Sequence, residues 1–152
     1  MDIPLASTSR IEKKPELVEA LKKVLPASSI IEDKTETLAY ECDALTAYRC
    51  PPMLVVLPET TAQVSEVLKL CHKMNIPVIP RGSGTSLAGG AMPSADSVVL
   101  GVSKMNSVLE TDYRNRFIRV QSGLTNIGVT NAVEDNGYFS APDPSRQLAC
   151  AI

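Results

Sequence analysis

An α+β fold is what this sequence predicts, and three observations carry the prediction. Leu54-Val55-Val56-Leu57 is a short, wholly apolar run of the kind that forms a buried strand. An amphipathic helical pattern follows from Thr61 to about Met74, and Pro77-Val78-Ile79-Pro80 then reads as a second short strand. Strand, helix and strand in that order favour a parallel crossover, right-handed by the general rule. From the end of its second strand leaves a loop made almost wholly of small residues.

The elements can be justified in order. Pro15 suits a first helical turn, and Leu17, Val18, Leu21, Val24 and Leu25 share one stripe until Pro26 stops the pattern. Residues 27 to 53 read as irregular, with a short helix near Glu36 to Tyr40. After the first strand, Thr60 stands three residues before Gln63, the spacing of a capping box. The helix behind it should bury Val64, Val67, Leu68 and Cys71, and Asn75 should close it. Beyond the loop, Ser97 to Leu100 predicts a further strand. Val108 to Thr111 and Phe117 to Val120 flank a polar turn and predict a hairpin. Thr125 to Asp135 predicts a helix ended by Asn136-Gly137. The chain stops on the apolar run Ala149-Cys-Ala-Ile152, which reads as a truncation, since natural C-termini are usually polar.

Bulk composition excludes several functions. The chain has 152 residues, 44% hydrophobic and 21% charged, with a net charge of −2. That balance speaks against a nucleic-acid partner, which needs a basic surface. Residues 1 to 10 carry no secretory signal, and no segment reaches a membrane span. The expected place is therefore the cytoplasm, with a membrane reached only through a partner subunit. Cys42, Cys50, Cys71 and Cys150 lack metal-ligand spacing, so no metal is expected, and all four are expected as reduced, mostly buried thiols.

From Gly82 to Ala91, nine of ten residues are small, Leu87 being the exception. Ordering such a run costs backbone entropy. Either it stays a flexible surface loop, or its successive N–H groups converge on an anion. Its position at the end of a buried strand, bracketed by Pro80 and Pro93, favours the cradle. Gly82, Gly84, Gly89 and Gly90 could supply positive φ, and Ser83, Thr85 and Ser86 could add hydroxyl donors. No Lys follows the glycines as a P-loop requires, and Leu87 stands where the dinucleotide fingerprint needs Gly. ATPase and NAD readings both lose ground.

The segment Pro80-Arg-Gly-Ser-Gly-Thr-Ser-Leu-Ala-Gly-Gly90 resembles the diphosphate loop of the vanillyl-alcohol oxidase type, also called PCMH-type, FAD-binding domain. Tyr40-Glu-Cys-Asp43, Ala47-Tyr-Arg49 and Ala141-Pro-Asp-Pro-Ser145 resemble the FAD-linked glycolate oxidase subunits and their D-lactate dehydrogenase relatives. The resemblance implies a helical and irregular segment over 1–53 and the FAD-binding domain over 54–152. The latter would hold the first βαβ subdomain and the start of the second. It further implies non-covalent FAD wrapped by Pro80, Arg81, Gly82, Ser83, Gly84, Thr85 and Ser86. Gly89 and Gly90 would complete the turn, and Pro142, Asp143 and Ser145 would border the isoalloxazine. The family's Gly-Gly-Asn segment and substrate domain would come after Ile152, so no catalytic residue is assigned.

By the same resemblance the chain is the FAD-binding part of an oxidoreductase acting on a small 2-hydroxy acid, glycolate or D-lactate. A second flavin-type subunit and an iron–sulfur subunit would be its partners. The competing readings are another enzyme on the same domain, such as a cell-wall precursor reductase or an ether-lipid synthase, and a non-catalytic nucleotide- or partner-binding module. Several residues invite over-reading. His72 is expected to be a half-exposed helical residue, not a flavin attachment point. Asp143 could be a general base, but the plainer role is to bond backbone or shape the pocket. Arg81 could pair with phosphate or brace the loop against an acidic neighbour. Asp112 to Arg116 is expected to be a solvated turn.

Overall fold

The computed structural model describes residues 6–142 and 148–152. Four short strands form one sheet: β1 (Ile30–Ile31), β2 (Leu54–Val56), β3 (Val78–Arg81) and β4 (Val98–Gly101), in the order β1-β2-β4-β3. β4 runs parallel to both β2 and β3, pairing Val98 with Leu54 on one side and with Val78 on the other. The expected strand–helix–strand unit is thus present, with β4 inserted between its two strands. The burial of every residue in β2 and β4 follows from that central position, because helices and loops cover both faces. β3 lies at the edge, where the missing N–H of Pro80 leaves no ladder bond unmade. β1 pairs antiparallel with β2, Ile30 opposite Val56. Two residues carry no readable period, which is why the sequence gives no sign of it.

Two helices supply most of the remaining core. α1 (Thr8–Ile11) is a single turn, and α2 (Lys14–Leu21) starts with Pro15 in its first turn and buries Leu17, Val18 and Leu21. α3 (Lys34–Thr37) and a 3₁₀ turn over Leu38–Tyr40 form the short helix expected near there. α4 (Thr61–Met74) packs against α2 and carries the full capping box, Thr60 accepting from the Gln63 N–H and Gln63 from the Thr60 N–H. Such a cap is worth about 1 kcal/mol. Asn75 ends the helix in the left-handed conformation at φ 56°.

The buried face of α4 differs from expectation at one residue. Val67 and Cys71 are buried, Val64, Leu70 and Met74 pack beside them, and Leu68 is 46% exposed. At about 100° per residue, Val64, Cys71, Met74 and Leu70 all fall within roughly 60° of Val67, whereas Leu68 lies about 100° away. It sits past the rim of the stripe.

The rest of the chain builds a smaller layer. β5 (Val108–Asp112) and β6 (Phe117–Val120) pair as the expected antiparallel hairpin, with Asp112 Oδ1 accepting from the Asn115 N–H in the solvated turn. α5 (Asn126–Asn131) begins at the Thr125 cap, whose hydroxyl accepts from the Gly128 N–H. The helix expected to reach Asp135 stops at Asn131, and a 3₁₀ turn over Glu134–Asn136 follows before Gly137 at φ 77°. Gly128, Val129, Thr130 and Asn131 are all weak helix formers, which accounts for the early end. Among the described residues no helix is long and apolar enough to cross a membrane.

Candidate FAD diphosphate site

The small-residue loop leaves the C-terminal end of β3, the side on which parallel sheets tend to bind ligands. The Val102 N–H donates to Arg81 O (3.0 Å), so the loop opens from a fixed point beside the end of β4. Of its four glycines only Gly84 (φ 69°) and Gly89 (φ 75°) adopt positive φ; Gly82 and Gly90 do not. At Gly82 a Cβ would make an ordinary contact with Ala151 Cβ at 3.4 Å. At Gly90 a Cβ would meet nothing. The N–H groups of Ser83, Gly84, Ser86, Leu87, Gly89 and Gly90 donate to no acceptor among the described residues. A run of backbone donors without protein acceptors is what an anion cradle requires.

Arg81 explains how so glycine-rich a loop keeps one shape. Its Nη1 donates to Cys42 O (2.7 Å), its guanidinium lies 5.6 Å from the Tyr40 ring centroid, and a Cβ on Gly84 would collide with it. The residue therefore braces the loop, against a carbonyl and an aromatic face, not against an acid. Two more ties bind the 40–45 strap to the loop: the Ala44 N–H donates to Ser86 O (3.0 Å), and Leu45 lies against Gly89. Asp43 Oδ1 accepts from the Leu45 N–H (2.8 Å) and holds the strap's turn. Of the hydroxyls, Ser86 Oγ accepts from the Ala88 N–H (3.1 Å), and Thr85 Oγ1 lies 3.4 Å from Cys150 Sγ.

Pro80 to Ser86 line an open groove of about 490 Å³, walled opposite by Val102, Ser122, Ala151 and Ile152. A further space of about 300 Å³ adjoins it past Gly82 and Ser83, lined by Ser103, Asn106, Leu124 and Thr125. Among the described residues no acidic side chain lines either space, and Arg81 brings a positive charge to the first. The residues present thus fit a diphosphate and its flanks. Gly89 and Gly90 belong to the loop without lining the groove.

The walls from 102–106, 122–125 and 151–152 escape sequence reasoning, because none carries a chemical signature. One signal was available at Gly123, whose N–H donates to Met105 O (2.8 Å) and where a Cβ would strike Val102 O. That close approach seats the hairpin layer on the sheet layer. Pro142 stands apart from the groove, its carbonyl accepting from Asn126 Nδ2 (2.8 Å), and Asp143 and Ser145 lie outside the described residues. His72 is exposed on α4. All four cysteines are free, but only Cys71 is buried, where burial pushes its thiol up to about 11; the other three are half-buried.

Comparison with known proteins agrees with this geometry. Residues 52–152 match the family described as FAD binding domain. The glycolate oxidase subunit GlcD of Escherichia coli K12 is 41% identical over 133 residues, which are 88% of this chain and 27% of that protein. GlcD of Bacillus subtilis is 35% identical over 134 residues, and the D-lactate dehydrogenase of Anaerostipes hadrus 31% over 136. The chain spans under a third of the length of these relatives. Among solved structures, an alkyldihydroxyacetonephosphate synthase superposes with a TM-score of 0.82 at 23% identity, covering 99% of this chain and 29% of that one. Substrate-bound p-cresol methylhydroxylase superposes with a TM-score of 0.70 at 19% identity, over 87% of this chain and 26% of that one. At such identities the structural likeness speaks for the fold alone. By sequence match the chain belongs to the FAD binding domain family, and the fold and the loop agree with it.

Proposed function

We propose that this chain is the FAD-holding part of an oxidoreductase that converts a small 2-hydroxy acid, glycolate or D-lactate, to the 2-oxo acid. The observation that carries the reading is the loop. A braced row of backbone donors stands at the end of β3, those of Ser83, Gly84, Ser86 and Leu87 without acceptors among the described residues, inside a stretch 41% identical to a glycolate oxidase subunit. Arg81 to Ser86 hold the diphosphate chiefly through N–H groups, and Gly89 and Gly90 complete the turn. Arg81 acts mainly by fixing the loop. Pro142, Asp143 and Ser145 border the isoalloxazine. FAD is bound without a covalent link, and His72, exposed on α4, takes no part in holding it.

Bound flavin supplies the redox chemistry, taking two electrons as the substrate loses its Cα hydrogen and hydroxyl proton; the protein supplies binding and orientation. No residue of this chain is given the role of proton acceptor. The segment 1–53 precedes the FAD-binding domain over 54–152. The protein works in the cytoplasm, with a second flavin-type subunit and an iron–sulfur subunit receiving the electrons.

The complete protein should purify yellow, release intact FAD on denaturation and oxidise glycolate or D-lactate with an artificial electron acceptor. A colourless protein that takes up no added FAD overturns the cofactor assignment. A yellow protein idle with every 2-hydroxy acid in a panel keeps the cofactor and points to another reaction of the same superfamily.

A further inference from the structure

The groove wall formed by Ala151 and Ile152, with Cys150 beside them, belongs to neither sheet. Among the described residues it is held by an antiparallel bridge between Thr125 and Ala151, in which the Asn126 N–H donates to Cys150 O (3.0 Å) and the Ile152 N–H to Leu124 O (3.0 Å). Residues 140 to 142 arrive at the same helix start. Asn126 Nδ2 donates to Pro142 O (2.8 Å) and, at longer range, to Ser140 Oγ (3.4 Å). Thr130, one turn on, accepts from the Ser140 N–H (3.1 Å). One residue thus meets two separate stretches, 140–142 through its side-chain amide and Cys150 through its backbone N–H, and the second stretch reaches the loop. Ala151 would touch a Cβ on Gly82, and Cys150 Sγ sits by Thr85 Oγ1.

Asn126 is 4% exposed, and its Oδ1 is buried with no donor among the described residues. An apolar side chain of similar size would avoid that penalty, so stability alone does not account for an amide here. We propose that Asn126 is a positioning residue for the cofactor site. Its amide fixes residues 140–142 against the start of α5, the same helix start whose backbone holds the 150–152 segment beside the diphosphate loop. The proposal rests on the reading that residues 81–86 hold FAD.

The test compares Asn126→Leu and Asn126→Asp with the parent, all as the complete protein stripped of flavin and titrated with FAD. Leu keeps the volume and loses the polar group; Asp keeps the shape and loses the donor to Pro142. Asn126→Leu should leave the apoprotein Tm within about 3 °C of the parent or raise it. FAD affinity should fall at least about tenfold, with a changed visible spectrum for the flavin that still binds. Asn126→Asp should lose affinity similarly; if it fails to fold, the Leu variant decides alone. Full affinity and an unchanged spectrum in Asn126→Leu overturn the proposal, as does an affinity loss that only tracks a falling Tm. A parent that binds no FAD removes the cofactor reading as well, which separates the two failures.

Discussion

Arg81 decides how the glycines of the loop can be used. Its guanidinium occupies the space beside Gly84, so that glycine is needed both for φ 69° and for the missing Cβ, whereas Gly90 is needed for neither. Gly84→Ala should therefore cost about 1–2 kcal/mol of stability, from the left-handed backbone and the displaced guanidinium. It should also weaken FAD binding by about tenfold or more, because the brace to Cys42 and Tyr40 shifts with the loop. Gly90→Ala should change stability by less than about 0.5 kcal/mol. Urea midpoints and flavin titration of both variants check the contrast; equal effects at the two positions would show that the brace does not shape the loop. The glycines were legible as a cradle from composition and placement, but not the division of labour among them. That division depends on a partner 39 residues away, Cys42 O, which no local pattern announces.

At the scale of elements, the sequence read best where one residue type answers one local need. The capping box of α4 and the asparagine that ends it belong to that class. It read worst where a tertiary partner sets the boundary, as with β1, which exists because Ile30 and Ile31 lie beside β2, and with the early end of α5. The tie of α1 to the turn before β4 is another such case. Asp96 is almost fully buried and accepts from the Ser7 N–H (3.0 Å), Arg10 Nη1 (2.9 Å) and the Ser94 hydroxyl (2.7 Å). Burial alone would raise its pKa, but the donors from Ser7, Ser94 and Arg10 outweigh it and hold the carboxyl at about 2. The folded value lies below the ordinary 3.8, so the stabilisation is complete above about pH 4 and is lost as pH falls through 2. It amounts to about 2 kcal/mol. Urea midpoints measured from pH 5 to pH 2 should fall more steeply in the parent than in Asp96→Asn, which is already weakened at pH 5. Parallel curves would mean that the Asp96 carboxylate is not the titrating group.

The whole molecule is two layers of unequal security meeting at the groove. The sheet of β1 to β4, with α2 and α4, holds the main core, and Leu17, Leu21, Leu54, Val67 and Val98 are fully enclosed there. The layer of β5, β6 and α5 leaves Leu109 59%, Phe139 73% and Leu148 79% exposed, and a hollow of about 260 Å³ opens among Tyr113, Phe117, Val133 and Tyr138. Burial of apolar surface is the main source of stability, so the second layer should open without the first. In hydrogen exchange on this chain, β2 and β4 amides should exchange only through global unfolding. Those of β5, β6 and α5 should exchange at least about tenfold faster through a local opening. The groove takes its loop from the secure layer and its wall, Ser122 and Ala151, from the other, so a ligand that bridges them must favour the closed arrangement. FAD should therefore slow exchange at 122–126 and 150–152 more than in the already protected β4. Uniform exchange across both layers would make the molecule one cooperative unit, and protection by FAD confined to 81–86 would mean that the wall takes no part in binding.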